Sequence, residues 1–218
     1  MKKRRKSMFF PVLINLNSLP CLVIGGGNVA YRKATTLLNF KAKVTVVSPK
    51  INESLKDLAK KNKIKIIKDS YKKNHLQNFE VIFCATDNSK TNLRVHEDCK
   101  AKKKLLNVAD VPELCDFILP AIVKRGDLTL SVSSQGKAPF YAADIKNRLN
   151  HVFPDYYKDI IDIAGGYRSS VLSDKKFNNS KLKQNAFNKF FEVNWKKVLE
   201  QNGKRKTKEY LKKLLEEI

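Results

Sequence analysis

Gly25, Gly27 and Ala30 in the stretch VIGGGNVA form G-x-G-x-x-A, residue types suited to holding a diphosphate. Gly25 permits a sharp turn, Gly27 lets the backbone approach a pyrophosphate, and Ala30 lets the following helix pack closely on the sheet. The freed amides at the helix start are then aimed at phosphate oxygens. The string follows an apolar strand and opens a helix, so a dinucleotide site is favoured over a plain structural turn. About 20 residues further on, where a carboxylate usually grips the ribose hydroxyls, stand Ser48, Pro49 and Lys50. Ser48 is suited to a hydrogen bond with a ribose and Lys50 to tolerating a 2′-phosphate, so these residues leave NAD and NADP both open. Thr86 and Asp87, at the end of VIFCATD, face the same crevice, with a structural turn the equal alternative.

Acid–base chemistry has one candidate, Asp110, which ends the run LLNVAD and so places a carboxylate at the carboxyl edge of a sheet. A turn former or N-cap is the other reading of that position. Asn107, on the same strand, is expected to face the same way. A second candidate is the anion loop SVSSQGKAP, a strand running into a Ser/Gly turn and a helix with Pro139 near its first position. Ser134, Gly136 and Lys137, with Ser133, would bind carboxylates there, against a capped helix with no ligand. His75, His96 and His151 are far apart and unpaired with cysteines at zinc spacing, so no metal site is expected.

These residues require strands that end at one rim. Leu19–Ile24 and VTVVS (44–48) are apolar runs flanking a segment that sets Val29, Ala30, Ala34, Leu37 and Leu38 on one helical face. Together they predict a right-handed βαβ unit. The alternation continues with a helix around 53–61, strand KIKII, strand VIFCA, a helix around 91–102 and strand LLNVA, which predicts an open parallel sheet. After Asp110, FILPAIV and DLTLSVS read as two further strands, the second alternating Leu128, Leu130 and Val132 with polar residues. From Pro139 onward the pattern is helical, with Phe187, Phe190, Phe191 and Trp195 expected in a core and 173–181 expected as a loop. The expected class is α/β: a Rossmann-like parallel sheet (1–116, with a basic N-terminal tail), a small α+β dimerisation segment (117–152) and a C-terminal helical domain (153–218).

Charge narrows the partners without naming one. The 218 residues hold 44 Lys+Arg against 21 Asp+Glu, a net charge of +23, which draws anions over long range. The lysines are spread over most segments, as on a solvated surface. Cys21, Cys84, Cys99 and Cys115 have no C-x-x-C spacing, so free thiols and a cytoplasmic location are expected. MKKRRKS followed by MFFPVLINL has the outline of a secretory signal, but Pro11, Asn15 and Asn17 interrupt it. It reads better as a basic tail leading into an edge strand, and no run approaches a membrane span. A basic dinucleotide sensor that touches nucleic acid through KRKTKEYLKKLLEEI is the alternative from another class, though the acids in that stretch favour a solvated amphipathic helix.

Taken in order, FFPVLINL, VIGGGNVAYRKATTLL, VTVVSP, FCATD with Asn92 following, NVAD, PELCDFILPAIVKRG and SVSSQGKAP resemble the precorrin-2 dehydrogenase/sirohydrochlorin ferrochelatase family, the front half of sirohaem synthase. The resemblance covers about residues 9 to 168. It implies NAD-dependent oxidation of precorrin-2 to sirohydrochlorin, in some members followed by insertion of Fe2+. It also implies an acidic tetrapyrrole as substrate and a homodimer, with no nucleic-acid or membrane partner. Cofactor positions fall on Asn28, Val29, Pro49 and Lys50, the functional aspartate on Asp110, and a serine phosphorylated in some relatives on Ser134. Gln135, Ala138, Lys124 and Ala143 depart from the family pattern, which bears on substrate contacts more than on reaction class. At 218 residues the chain is expected to be too short to carry the methyltransferase half found in fused sirohaem synthases, so precorrin-2 would come from another enzyme.

Overall fold

The computed structural model describes residues 8–216. It divides into two compact units at Leu119/Pro120.

In the first unit, five strands form a wholly parallel sheet: β1 (Pro20–Ile24), β2 (Lys43–Val47), β3 (Ile64–Ile67), β4 (Val81–Cys84) and β5 (Leu105–Val108). Their order is β3-β2-β1-β4-β5, so the chain reverses direction of travel between β1 and β4. That point is where open α/β sheets hold ligands. Three helices connect the strands: α1 (Asn28–Asn39), α2 (Glu53–Lys60) and α3 (Ser89–Ala101).

The apolar runs are continuous because both faces of the sheet are covered. On β1, Cys21 and Val23 pack in one core with Ala30, Ala34 and Leu37 of α1 and Leu55 of α2. Leu22 and Ile24 pack in the other with Val95 and Cys99 of α3. Each of these larger aliphatic side chains contributes about 1.5–3 kcal/mol by leaving water. Leu22→Ala, at a position fully closed to solvent, costs about 2–5 kcal/mol.

Two expectations for the ends of this unit are corrected. Residues 8–19 form no strand, so MFFPVLINL is not an edge strand; Met8, Phe10 and Leu13 are exposed, and no neighbouring strand offers them a ladder. The basic tail of residues 1–7 lies outside the described residues. FILPAIV is a strand only from Ala121, because 117–120 leads into it through Pro120, which has no amide to donate.

The second unit begins with an antiparallel hairpin, β6 (Ala121–Arg125) and β7 (Leu128–Val132). Arg125 ties it to α4 (Pro139–Val152): its Nε donates to the Phe153 carbonyl at 2.7 Å and its Nη2 to Asn150 Oδ1 at 3.0 Å. Then come α5 (Tyr157–Ser173), α6 (Ser180–Glu192) and α7 (Trp195–Glu216), the last broken at Gly203, whose φ of 60° is not helical. Their core centres on Tyr167, Phe177, Phe190 and Trp195, with Phe190 and Trp195 stacked at 4.6 Å. Phe191, expected in that core, is 81% exposed, because its helical position turns it away from the seam that Phe190 fills. The expected loop at 173–181 is narrower, from Asp174 to Asn179.

Candidate functional site

The carboxyl ends of β1, β2, β4 and β5 border an open cleft of about 880 Å³. Its floor is the glycine turn. Gly25 takes φ 125°, and a Cβ there would run into the Ala85 backbone at the end of β4, so the residue serves both turn and close packing. Gly26 is equally constrained: a Cβ would collide with the Lys50 carbonyl and lie 2.8 Å from Ser48 Oγ. The Gly26 carbonyl in turn accepts from the Asn52 amide at 2.9 Å. Gly27 differs from both, since a Cβ on it would meet no atom within 4 Å.

That open space lies at the start of α1, whose N-cap is Gly27 and whose first turn carries no acidic residue. The first intrahelical bond runs from the Tyr31 amide to the Gly27 carbonyl at 3.0 Å, so the preceding amides have no partner within the helix. Backbone donors, a helix dipole and room for close approach fit a pyrophosphate.

Hydrogen bonds fix the rims. Asn52 caps α2 by accepting from the Leu55 amide at 3.0 Å, and its Nδ2 donates to Asn28 Oδ1 at 3.1 Å. On the β4 side, Asn92 is buried in α3; its Oδ1 accepts from Thr86 Oγ1 at 2.6 Å and Cys84 Sγ at 3.1 Å, while its Nδ2 donates to the Thr86 carbonyl at 3.2 Å. The loop bearing Thr86 and Asp87 is thus anchored from below. Asn88 caps α3 by accepting from the Thr91 amide at 2.9 Å.

Asp110 is exposed on the cleft wall in a turn just past β5. Its φ is 60°, in the left-handed region that Asp and Asn enter at less cost than most residues. The turn is held from behind. Cys115 Sγ accepts from the Val108 amide at 3.1 Å, and Asp116 Oδ2 accepts from the Leu106 amide at 3.0 Å.

The structure brings together Gly25, Gly27, Asn28, Val29, Ser48, Pro49, Lys50, Thr86, Asp87 and Asp110 around this cleft. Ser48 differs in function from the expectation: it is buried, and its hydroxyl donates to the Lys50 carbonyl at 2.8 Å. It shapes the loop, with its proton committed away from a ribose. Asn107 is a clear departure. Strand alternation turns it beside Phe83, where its Nδ2 donates to the Phe117 carbonyl at 3.0 Å and its Oδ1 accepts from Lys33 Nζ at 3.2 Å. It does not line the cleft.

Ser134, Gly136 and Lys137 belong to the second unit, in the turn between β7 and α4. Ser134 Oγ accepts from the Ala138 amide at 2.9 Å and its carbonyl from the Lys137 amide at 3.0 Å. Gln135 and Gly136 both take positive φ, 55° and 79°.

Two residues with functional bearing carry no role in the sequence reading: Asn92, present there only as part of the family series, and Lys33. Asn92 was detectable as a polar residue on the stripe that also carries Val95 and Cys99. Lys33 sits at the edge of the α1 stripe, three residues after Ala30 and four before Leu37. Burial lowers its ammonium from the usual lysine range, opposed by the neighbouring Cys115 and Asp110. Among the described residues, no group of three or more His, Cys, Asp or Glu is arranged to hold a metal ion. None of their helices is long and apolar enough to cross a membrane.

Comparison with known proteins agrees with this geometry. The family described as "Putative NAD(P)-binding" matches residues 12–121. The siroheme synthase of Psychrobacter arcticus is 39% identical over 162 residues, 74% of this chain and 30% of that protein. That of Pseudoalteromonas translucida is 36% identical over 163 residues, 75% of this chain and 34% of its own. The chain therefore spans about a third of the length of these relatives. A solved structure of SirC, precorrin-2 dehydrogenase, superposes with a TM-score of 0.72 over 94% of this chain and 100% of that one at 21% identity, a likeness of fold. With the glycine turn, the parallel sheet and the crevice inside the matched span, the chain belongs to the NAD(P)-binding family.

Proposed function

We propose that this chain is a precorrin-2 dehydrogenase, oxidising precorrin-2 to sirohydrochlorin with a nicotinamide dinucleotide as hydride acceptor. The observation that carries the reading is the cleft itself: a glycine floor open above Gly27 and an aspartate, Asp110, in the wall of the same space. It is supported by 33–39% identity to siroheme synthases over most of this chain.

The bound dinucleotide would supply the hydride acceptor, an oxidised nicotinamide. The amides of Asn28 and Val29 would hold its pyrophosphate, and the Asn92-anchored loop at Thr86 and Asp87 would border it. Loss of two hydrogens from the macrocycle also releases a proton, and Asp110 would take it. The left-handed turn presents that carboxylate from backbone fixed by Cys115 and Asp116 rather than from a free loop. Precorrin-2 is edged with carboxylates, so a chain of net charge +23 would draw it in by long-range attraction. Within the second unit, the turn of Ser134, Gly136 and Lys137 would by itself suit a carboxylate.

Insertion of Fe2+ as a second substrate belongs to the same reading as an added step, since a carboxylate that accepts protons also suits deprotonation of pyrrole nitrogens. A homodimer and a cytoplasmic setting complete it; Phe140 and Val152 of α4, 79% and 59% exposed, support a partner on that helix.

The test mixes purified protein, precorrin-2 and oxidised dinucleotide, and follows the absorbance of reduced nicotinamide. Fe2+ is added next and the sirohaem spectrum sought. Hydride transfer alone leaves a monofunctional dehydrogenase, and no reduction of nicotinamide rejects the proposal.

A further inference from the structure

Lys33 is half-buried on α1, against the strand that leads to Asp110. Its Nζ donates at 3.2 Å to Oδ1 of Asn107, a residue of β5. Asn107 is itself only 5% exposed, and its Nδ2 donates to the Phe117 carbonyl at 3.0 Å. The Phe117 ring packs edge-on against Phe83, with 5.4 Å between centroids. Asn107 thereby joins β5 to the far end of the loop 109–117, and Asp110 stands at the near end of the same loop.

A neutral donor would satisfy a buried amide oxygen at less cost than an ammonium. A cation that gives up water is destabilised unless nearby charge offsets the loss. Burial pushes the Lys33 ammonium down from the usual lysine range; Cys115 and Asp110 oppose that, and Arg32 adds to it. Burial also raises the Cys115 thiol, so near neutral pH the thiol is uncharged and Asp110 is the anion that this cation faces. Among the described residues no carboxylate forms a direct ion pair with Lys33. Its attraction is therefore exerted through the protein on the cleft wall.

We propose that Lys33 is a positioning residue for Asp110: its ammonium anchors the 109–117 loop through Asn107 and restrains the Asp110 carboxylate at the cleft wall by charge. Lys33 does not line the cleft, so it acts through Asp110 rather than on the substrate. The inference rests on the reading of Asp110 as proton acceptor and adds what holds that acceptor in place. A displaced acceptor is misaligned in the transition state without being lost to substrate binding, so turnover falls while KM does not change.

Turnover of precorrin-2 by the full chain is measured for Lys33→Met, Lys33→Gln and Lys33→Arg, each also placed in an Asp110→Asn background. Met and Gln remove the charge, and Gln keeps a donor for Asn107. Each of these two is expected to lower kcat about tenfold with KM unchanged, and Arg to recover most of the loss. Calorimetry with the oxidised dinucleotide should give the parent's affinity throughout, which shows that the variants are folded and the cleft intact. In the Asp110→Asn background the Lys33 changes should have no further effect, because the group they position is gone. Equal falls in both backgrounds, or loss of dinucleotide binding in the Lys33 variants, mark a purely structural role and overturn the inference. Parent-like turnover in Lys33→Met, or no recovery in Lys33→Arg, overturns it as well. Full turnover by Asp110→Asn alone would remove the reading of Asp110 and this inference with it, whereas no turnover by the parent would remove the dehydrogenase itself.

Discussion

Two adjacent glycines should fail in opposite ways. In Gly26→Ala the new methyl is driven against the Lys50 carbonyl and lies 2.8 Å from Ser48 Oγ. Neither is the end of a flexible side chain: one is backbone and the other is tethered to it by a 2.8 Å hydrogen bond. The loop after β2 must move, which costs about 1–3 kcal/mol as overpacking. The bond from the Asn52 amide to the Gly26 carbonyl, 2.9 Å long, is strained or lost as well; that adds about 1 kcal/mol. A total of about 2–4 kcal/mol corresponds to a fall in Tm of roughly 5–15 °C for a chain of this size. In Gly27→Ala the methyl meets nothing within 4 Å, and φ of −93° suits alanine, so Tm should stay within a few degrees. Its effect falls on the ligand: the methyl occupies the approach to the first-turn amides, and losing one charge-assisted bond weakens the dinucleotide by about 10- to 100-fold. Differential scanning fluorimetry and calorimetric titration with dinucleotide separate the two. A Gly27→Ala protein that binds as tightly as the parent refutes the placement of the pyrophosphate. A Gly26→Ala protein that melts with the parent refutes the packing of the loop.

Three other outcomes are expected. Asp110→Asn keeps a residue at home in the left-handed region and removes the carboxylate proposed as base, so turnover of precorrin-2 should fall by about 100-fold or more, with dinucleotide affinity unchanged in calorimetry; full turnover would exclude Asp110 as the proton acceptor. Asn92→Ala strips the partners from Thr86 and buried Cys84; chemical denaturation should record a loss of about 1–3 kcal/mol, with dinucleotide binding weakened as the loop loosens. Burial pushes the thiols of Cys84 and Cys99 up to about 12 and that of Cys21 to about 11. A folded pKa above the unfolded value of about 8.5 gives stability that is whole below that pH and lost as pH rises through the folded value. Lys33, lowered by burial, acts with the opposite sign over the range below the usual lysine value. Three thiols against one amine predict that Tm declines from about pH 9 upward, and a Tm that is flat or rising to pH 11 would contradict the burial of these cysteines.

The sheet was legible because its strands are covered on both faces, leaving unbroken apolar runs such as CLVI and VTVV between glycine and proline boundaries. The cleft was legible for a different reason: topology carries every strand end to one rim, so Asp110 and Thr86 could be placed without any knowledge of contacts. Side-chain direction at that rim was not. Asn107 sits inside β5, where a period of two sends it to the α1 face, while Asp110 lies past the strand where the period no longer holds. Ser48 was assigned a ligand, but its nearest acceptor is a carbonyl two residues away, a local turn that competes with any outside partner. Lys33 went unnoticed since a lysine at the edge of an apolar stripe usually keeps its head in water. Gly26 lies between the two motif glycines and matches no motif position; its constraint comes from a loop 24 residues on. For Phe191, helical spacing gives two nearly equivalent directions, and only the seam with Trp195 decides between them.

The positive φ at Asp110 changes how a substitution survey of that position must be interpreted. Glutamate retains the acid yet favours a right-handed or extended backbone, so it would swing the wall of the cleft before its carboxylate could act. Glycine lacks the acid yet would hold the loop's path undisturbed. Ranking variants by charge and ranking them by main-chain tolerance thus give different orders, and aspartate alone satisfies both at once.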